Sequence, residues 1–98
     1  MDDLEKLYQQ IDALDEQLTP LFAQRLKLAR QIAQIKYARQ LGIANRGREA
    51  QTIATQTMRV DTDLRPYLTD WYRDIILITK QCQAKLIKQL QDNEDQSL

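Results

Sequence analysis

Apolar residues recur at alternating intervals of three and four along the beginning of the chain. The series is Leu4, Leu7, Ile11, Leu14, Leu18, Leu21, Arg25, Leu28, Ile32 and Ile35, with Arg25 as its one polar member. Such spacing places these side chains along one face of an α-helix. Because the series keeps its phase across Pro20, it predicts a single helix over residues 3–39, kinked at the proline, rather than two helices joined by a loop.

The length of this helix bears on the oligomeric state. A helix over residues 3–39 is about 55 Å long at a rise of about 1.5 Å per residue. A compact monomer of this chain length is only about 30 Å across, from a radius of gyration near 13 Å. One end of the helix would therefore project with its apolar face uncovered. A second copy of the chain can cover that face, so the sequence predicts an intertwined homodimer.

A connector and a second, shorter helix follow. The connector covers residues 40–44, with Gly42 as the left-handed residue that ends the first helix. Asn45 is a suitable N-cap for a second helix over residues 46–58. Three apolar residues of this helix are expected to be buried: Ile53, Ala54 and Met58.

The rest of the chain predicts a third helix. Residues 61–63 form a turn in which Asp63 can cap that helix, and Pro66 is tolerated in its first turn. Its inward stripe is Leu68, Trp71 or Tyr72, Ile75, Thr79, Cys82 or Gln83, Leu86 and Leu90. The pattern predicts one helical domain over residues 1–90 and a frayed polar tail over residues 91–98.

Composition limits the possible fold classes, partners and kinds of active site. Two glycines and two prolines in 98 residues are too few for a β-rich domain, so the fold class is all-α. Fourteen basic residues cancel fourteen acidic ones, which argues against nucleic acid as the main partner. The absence of histidine, with Cys82 as the one cysteine, excludes a Ser-His-Asp triad and a soft-ligand zinc site. Without a long apolar stretch or an apolar signal core, the chain is expected to be cytoplasmic, with no membrane partner.

Several polar side chains occupy positions where the helical pattern calls for apolar ones. They are Arg25, Lys36, Arg48, Glu49, Thr79 and Gln83. Arg25 and Lys36 are eleven residues apart, which places them within about 20° of each other on the helix and about 16 Å apart along its axis. Arg48 and Glu49 open the second helix, whose N-terminal end favours anions.

Each of these residues also has a purely structural interpretation. Arg25 can pair with an acid or extend to solvent, and Lys36 can complement the end of its helix dipole. Thr79 can hydrogen-bond its own helix, and Gln83 can lie just off the core with Cys82 taking the inward place. The pair Arg48-Glu49 can be an ordinary solvated helix start. Taken together, however, unpaired inward cations would cost several kcal/mol to bury. The set therefore predicts a site for a small polyanion.

The order of these residues resembles a known family. The run Leu7-Tyr8-Gln9-Gln10-Ile11-Asp12-Ala13-Leu14-Asp15, the later series Leu18, Leu21, Arg25, Leu28, Ile32 and Lys36, and the run Asn45-Arg46-Gly47-Arg48-Glu49 together resemble the all-helical (AroQ-class) chorismate mutases. The resemblance covers roughly residues 4–86. It implies three-helix chains intertwined as homodimers, with two sites built from both subunits.

The resemblance also implies a reaction and a role for each site residue. Chorismate mutases convert chorismate to prephenate by an intramolecular rearrangement that needs no cofactor, metal or nucleophile. The resemblance assigns Arg25 and Arg48 to the substrate carboxylates, Lys36 and Gln83 to the ether oxygen, and Glu49 to the ring hydroxyl. Thr79 takes a position where the family often has a small hydroxyl residue.

Three positions depart from the family pattern, and they are Tyr8, Asn45 and Pro20. Tyr8 stands where the family usually has an arginine that reaches the partner's site, and Asn45 replaces a frequent aspartate. Loss of a charge-assisted hydrogen bond is worth about 1.5–3 kcal/mol, so Tyr8 puts catalytic efficiency in question.

Three functions remain open from the sequence. The first is a chorismate mutase of phenylalanine and tyrosine biosynthesis. The second is an isochorismate-pyruvate lyase, which resembles this family and uses a similar set of Arg, Lys and Gln residues. The third is a non-catalytic helical dimer that binds a metabolite of the pathway.

Overall fold

The computed structural model describes residues 2–96 as a chain of helices. They are α1 (Asp3–Ala38), α2 (Arg46–Thr57), a short 3₁₀ helix (Thr62–Leu64) and α3 (Arg65–Gln96). The described residues contain no β-strand, so the all-α fold class is confirmed. Residues 97 and 98 of the predicted polar tail lie outside the described residues.

Helix α1 runs without interruption through Pro20, as its hydrophobic pattern predicts. At its start, the Asp2 carboxylate accepts a hydrogen bond from the Glu5 backbone N–H at 2.8 Å. The single helix in place of two is therefore confirmed, while the kink at Pro20 stays a prediction.

The prediction that Gly42 ends α1 is wrong. Gln40 is the left-handed residue, with φ of 58°. Its N–H donates to the Tyr37 carbonyl at 3.0 Å, and the Leu41 N–H donates to the Lys36 carbonyl at 2.8 Å. These two bonds form a Schellman motif, which satisfies carbonyls of the last turn. The left-handed residue lies two positions before Gly42, so a residue with a side chain takes this conformation here.

Helix α2 begins as predicted, and its end at Thr57 lies within one residue of the predicted end. The Asn45 side chain accepts a hydrogen bond from the Arg48 N–H at 3.1 Å, which makes it the N-cap. Met58 is the C-cap and is 68% exposed in the single chain, so its expected burial is not found within one chain. Ala54 is also exposed, and only Ile53 of the three is partly covered.

Helix α3 differs from the prediction at both ends. The expected turn at residues 61–63 is largely the 3₁₀ helix, which leads directly into α3, so Asp63 lies inside a helical segment rather than at its cap. At the other end, residues 91–96 are helical instead of frayed. The Tyr37 hydroxyl hydrogen-bonds Glu94, which ties this last turn to the end of α1. Periodicity cannot reveal such a polar contact.

Helices α1 and α3 pack in parallel over their second halves. Arg25 contacts Thr79 and Gln83 contacts Ala29, a constant offset of 54 residues. The contact face of α1 is formed by Ala29 and Ala33, of which Ala33 is fully buried. Alanines four residues apart share one face and let the two helices approach closely.

The chain is elongated, with extents of 64 × 30 × 15 Å and a radius of gyration of 17.9 Å. A compact chain of this length would have a radius near 13 Å. The first half of α1 projects, and its apolar stripe is open to solvent in the single chain: Leu4, Leu7, Ile11, Leu14, Leu18 and Leu21 are all 43–62% exposed. No helix within residues 2–96 combines the length and apolarity needed to cross a membrane.

Candidate active site

The second half of α1, helix α2 and helix α3 enclose a cleft of about 560 Å³. Its polar lining includes seven of the eight residues predicted from the sequence: Arg25, Lys36, Asn45, Arg48, Glu49, Thr79 and Gln83. They come from all three helices and from the connector between α1 and α2. The fold therefore brings the predicted set together around one cavity.

Arg25 is held by a short chain of hydrogen bonds. Its Nη1 donates to Thr79 Oγ1 at 2.8 Å, and the Thr79 hydroxyl donates to the Ile75 carbonyl at 2.7 Å. The Thr79 hydroxyl thus donates a hydrogen bond to its own helix, which is the purely structural role considered above. It also accepts a hydrogen bond from Arg25. A guanidinium has five N–H donors in a planar fork, so this bond fixes its orientation and leaves further donors for an anion.

Gln83 is the buried polar residue of the cleft, at 7% exposure. Its Nε2 donates to the Ala29 carbonyl on α1 at 2.8 Å. Gln83 therefore takes the inward place on α3, while Cys82 is only partly covered. The amide nitrogen carries two hydrogens, so one remains after the bond to Ala29.

Lys36 connects the end of α1 to the connector. Its Nζ donates to the Ile43 carbonyl at 2.9 Å, in a partly buried position. Lys36 also lies in the last turn of α1, where a cation complements the helix dipole. An ammonium has three donors, so the bond to Ile43 fixes the side chain and leaves two hydrogens free to bond elsewhere.

The first turn of α2 contributes Asn45, Arg48 and Glu49. Asn45 uses its side-chain oxygen to cap the helix, and its carbonyl accepts from the Glu49 N–H at 3.0 Å. Within residues 2–96, the Arg48 guanidinium has no hydrogen-bond or ion-pair partner, and Arg48 is exposed. This arginine is therefore available to an incoming anion.

Lys80 also lines the cleft and was not predicted from the sequence. Its Nζ is 2.7 Å from Glu49 Oε1. Helical spacing could have indicated it, because Lys80 is three residues before Gln83 and shares that side of α3. It was missed because it lies beside the inward stripe rather than in it.

Tyr8 is the one predicted site residue that the chain does not bring to the cleft. It lies on the projecting half of α1 and is 58% exposed. Seventeen residues separate it from Arg25, which is about 25 Å along the helix. Tyr8 can therefore reach a site of this kind only in a second copy of the chain.

The cleft is strongly cationic. Arg25, Lys36, Arg48 and Lys80 are its four basic residues, and Glu49 is its one acidic residue. Leu28, Ile32 and Ile76 provide apolar surface between the charges. No cluster of metal-ligating side chains occurs within residues 2–96. Fixed cations and hydrogen-bond donors around an apolar floor can hold a small anion and stabilise negative charge that develops on it.

Fold and cleft together define an all-helical protein with a cationic cleft between its helices. The chain belongs to the chorismate mutase type II family, whose model matches residues 7–84. The resemblance seen in the sequence is thereby confirmed, and the matched span contains every basic residue of the cleft. Neither the curated proteins nor the solved structures contain a match to this chain.

Proposed function

We propose that this protein is a chorismate mutase that converts chorismate to prephenate within the cleft. Membership of the family supports a reaction of this type. The observation that carries the proposal is the arrangement of Lys36 and Gln83, which approach the cleft from α1 and α3 with one hydrogen bond each to the backbone. Each keeps at least one N–H for a substrate oxygen.

The reaction is an intramolecular rearrangement. The C–O bond of the ether breaks while a C–C bond forms between the enolpyruvyl group and the ring, and no proton is transferred. Catalysis then requires two things of the protein. It must hold the dianion in its compact reactive conformer, and it must stabilise charge on the ether oxygen as the bond breaks.

The two arginines are suited to the first task. Arg25 is oriented by Thr79, and the Arg48 guanidinium is unpaired within the described residues. Arg–carboxylate pairs are often bidentate, which fixes geometry as well as affinity. Arg25 and Arg48 bind the substrate's carboxylates in this proposal, and Glu49 accepts a hydrogen bond from its ring hydroxyl.

Lys36 and Gln83 are suited to the second task. Both would donate to the ether oxygen, whose negative charge grows in the transition state. Because the two side chains are already anchored by Ile43 and Ala29, they need little reorganisation when the charge appears. Asn45 and Thr79 act mainly by holding Arg48, Glu49 and Arg25 in place.

The proposed active form is a homodimer with sites shared between chains. The uncovered apolar stripe on α1 supports it, since monomeric proteins rarely expose contiguous apolar patches of more than a few hundred Å². In such a dimer Tyr8 of one chain would reach the other chain's cleft and donate a hydrogen bond to a carboxylate. The proposed setting is phenylalanine and tyrosine biosynthesis in the cytoplasm.

Consumption of chorismate by the purified protein tests the proposal. Lys36→Ala should lower kcat by about 10²–10³-fold, the effect of removing one preorganised donor to a developing oxyanion. Lys27→Ala is the matched control, because Lys27 is an exposed lysine of the same helix that does not line the cleft. Equal activity of the two variants would contradict the assignment. Pyruvate release from isochorismate, without turnover of chorismate, would indicate a lyase instead.

A further inference from the structure

The ion pair between Lys80 and Glu49 joins α3 to α2 at the wall of the cleft. Lys80 Nζ and Glu49 Oε1 are 2.7 Å apart, and the two side chains are 39% and 21% exposed. Both residues line the main cleft and also a second groove between α2 and α3. The pair therefore forms part of the partition between these two cavities.

This pair differs from the other ion pairs of α3. Lys88 and Asp92 are 3.6 Å apart with side chains 77% and 53% exposed, and Arg73 and Asp70 are 3.7 Å apart and still more exposed as a pair. Exposed pairs within one helix contribute little to stability. The Lys80–Glu49 contact is shorter, is less exposed and connects two helices.

We propose that Lys80 is a positioning residue that holds Glu49 in the orientation needed to bind the substrate hydroxyl. This inference rests on the proposed function, in which Glu49 accepts that hydroxyl's hydrogen bond. Lys80 contacts Oε1, which leaves the second carboxylate oxygen without this contact and with lone pairs to accept the hydroxyl's hydrogen bond. A glutamate side chain loses rotamer freedom when it is ordered. Lys80 orders the Glu49 side chain before the substrate binds. The loss of its rotamer freedom therefore does not weaken substrate binding.

Lys80 also keeps Glu49 away from the arginines. Glu49 is the one carboxylate in a cleft with three other basic residues, and Arg48 is its neighbour in sequence. A released Glu49 side chain could pair with an arginine and compete with the substrate's carboxylates. Loss of Lys80 should therefore raise KM more than it lowers kcat.

Kinetics of Lys80→Met test the positioning role. We expect kcat/KM to fall about tenfold, which corresponds to about 1.4 kcal/mol, with most of the change in KM. Lys80→Arg should restore most of the loss, because it returns a cation at the same place. Lys88→Met should have no effect, since it breaks an ion pair of the same helix outside the cleft.

A double variant shows whether Lys80 acts through Glu49. In a Glu49→Gln background, Lys80→Met should cost almost nothing further, because no carboxylate remains to be positioned. An equal tenfold loss in both backgrounds would overturn the proposal. So would wild-type kinetics of Lys80→Met itself.

A measurement without turnover separates this proposal from the proposed function. The ¹³C-carboxyl signal of Glu49, assigned by its loss in Glu49→Gln, reports the mobility of the side chain by NMR relaxation. Lys80→Met should make that side chain markedly more mobile, while Lys88→Met should not. Unchanged mobility would overturn the positioning role, whether or not the protein turns over chorismate. If wild type fails to turn over chorismate but mobility rises in Lys80→Met, the proposed function fails and the ordering of Glu49 by Lys80 stands.

Discussion

Replacement of Gln83 by glutamate tests whether the cleft needs a neutral hydrogen-bond donor at its buried position. Gln83 is 7% exposed, and its Nε2 donates to the Ala29 carbonyl at 2.8 Å. The introduced carboxyl has nearly the same shape, but as a carboxylate it can only accept hydrogen bonds. In that state it faces the Ala29 carbonyl and the substrate's ether oxygen with no hydrogen for either. Only its protonated form can replace one of the two amide donors.

The size of the effect follows from these contacts. Loss of one donor to the ether oxygen should lower kcat by about 10²–10³-fold. A buried Ala29 carbonyl without its Gln83 partner adds about 1–3 kcal/mol of lost stability. Burial disfavours the charged form of the introduced carboxyl and raises its pKa, whereas the basic residues of the cleft favour the charged form and lower it, so the pH profile reports the balance of the two. Activity should therefore survive at acid pH and decline as the carboxyl ionises.

The assay is chorismate consumption as a function of pH, under conditions where circular dichroism shows each variant to be folded. For Gln83→Glu, kcat/KM should fall by about one decade per pH unit above the pKa of the new carboxyl, since one proton is required. Wild type should lack this decline because an amide does not titrate. Gln81→Glu is the matched control, as Gln81 is exposed on the same helix and does not line the cleft. A Gln83→Glu variant whose kcat/KM is as independent of pH as that of wild type would refute the donor role.

Further predictions concern the orientation of Arg25 by Thr79, the contact between α1 and α3, the exposed apolar stripe of α1, and the hydroxyl of Tyr37. Thr79→Val removes the acceptor for Arg25 Nη1 at 2.8 Å and should lower kcat/KM by about 5- to 10-fold, about one net hydrogen bond, with steady-state kinetics as the check. Ala33→Leu inserts a large side chain at a fully buried helix contact and should destabilise the fold by about 1–3 kcal/mol in urea unfolding; unchanged stability would contradict the close approach of α1 and α3. Leu14→Lys, at a position 62% exposed in the single chain, should convert the proposed homodimer to a monomer in light scattering and abolish turnover, whereas Glu16→Lys, at an exposed polar position nearby, should do neither. Hydrogen bonding to Glu94 raises the pKa of Tyr37 to about 12. The stability that this hydrogen bond contributes is therefore present below pH 10 and is lost as pH rises through 12. Phenolate absorbance should show this late ionisation in wild type and not in Tyr37→Phe.

The helices could be predicted from the sequence because each depends on local signals. The alternating spacing of apolar residues predicts that α1 continues through Pro20. Asn45, whose side chain caps α2, predicts where that helix begins. The helix ends that were predicted wrongly depend on contacts between distant residues or on an uncommon backbone conformation. Glu94 is held by Tyr37 on another helix, and Gln40 takes the left-handed position that glycine usually fills.

The candidate site was predictable to the extent that its residues interrupt an apolar pattern. Arg25 and Gln83 stand out because each occupies a position that faces inward. The face of α1 that contacts α3 was not anticipated, because Ala29 and Ala33 lie beside the leucine stripe rather than in it. Lys80 was missed for a similar reason, since a lysine at the edge of a stripe resembles an ordinary surface residue.

Product analysis by proton NMR in deuterated water tests the central claim most directly. An intramolecular rearrangement in a cleft that transfers no proton should yield prephenate as the sole product, in amounts equal to the chorismate consumed and without deuterium at carbon. Lys36→Ala should lower the rate of its formation by about 10²–10³-fold, and Lys27→Ala should not. Free pyruvate as the product, or no consumption of chorismate by the folded protein, would contradict the account.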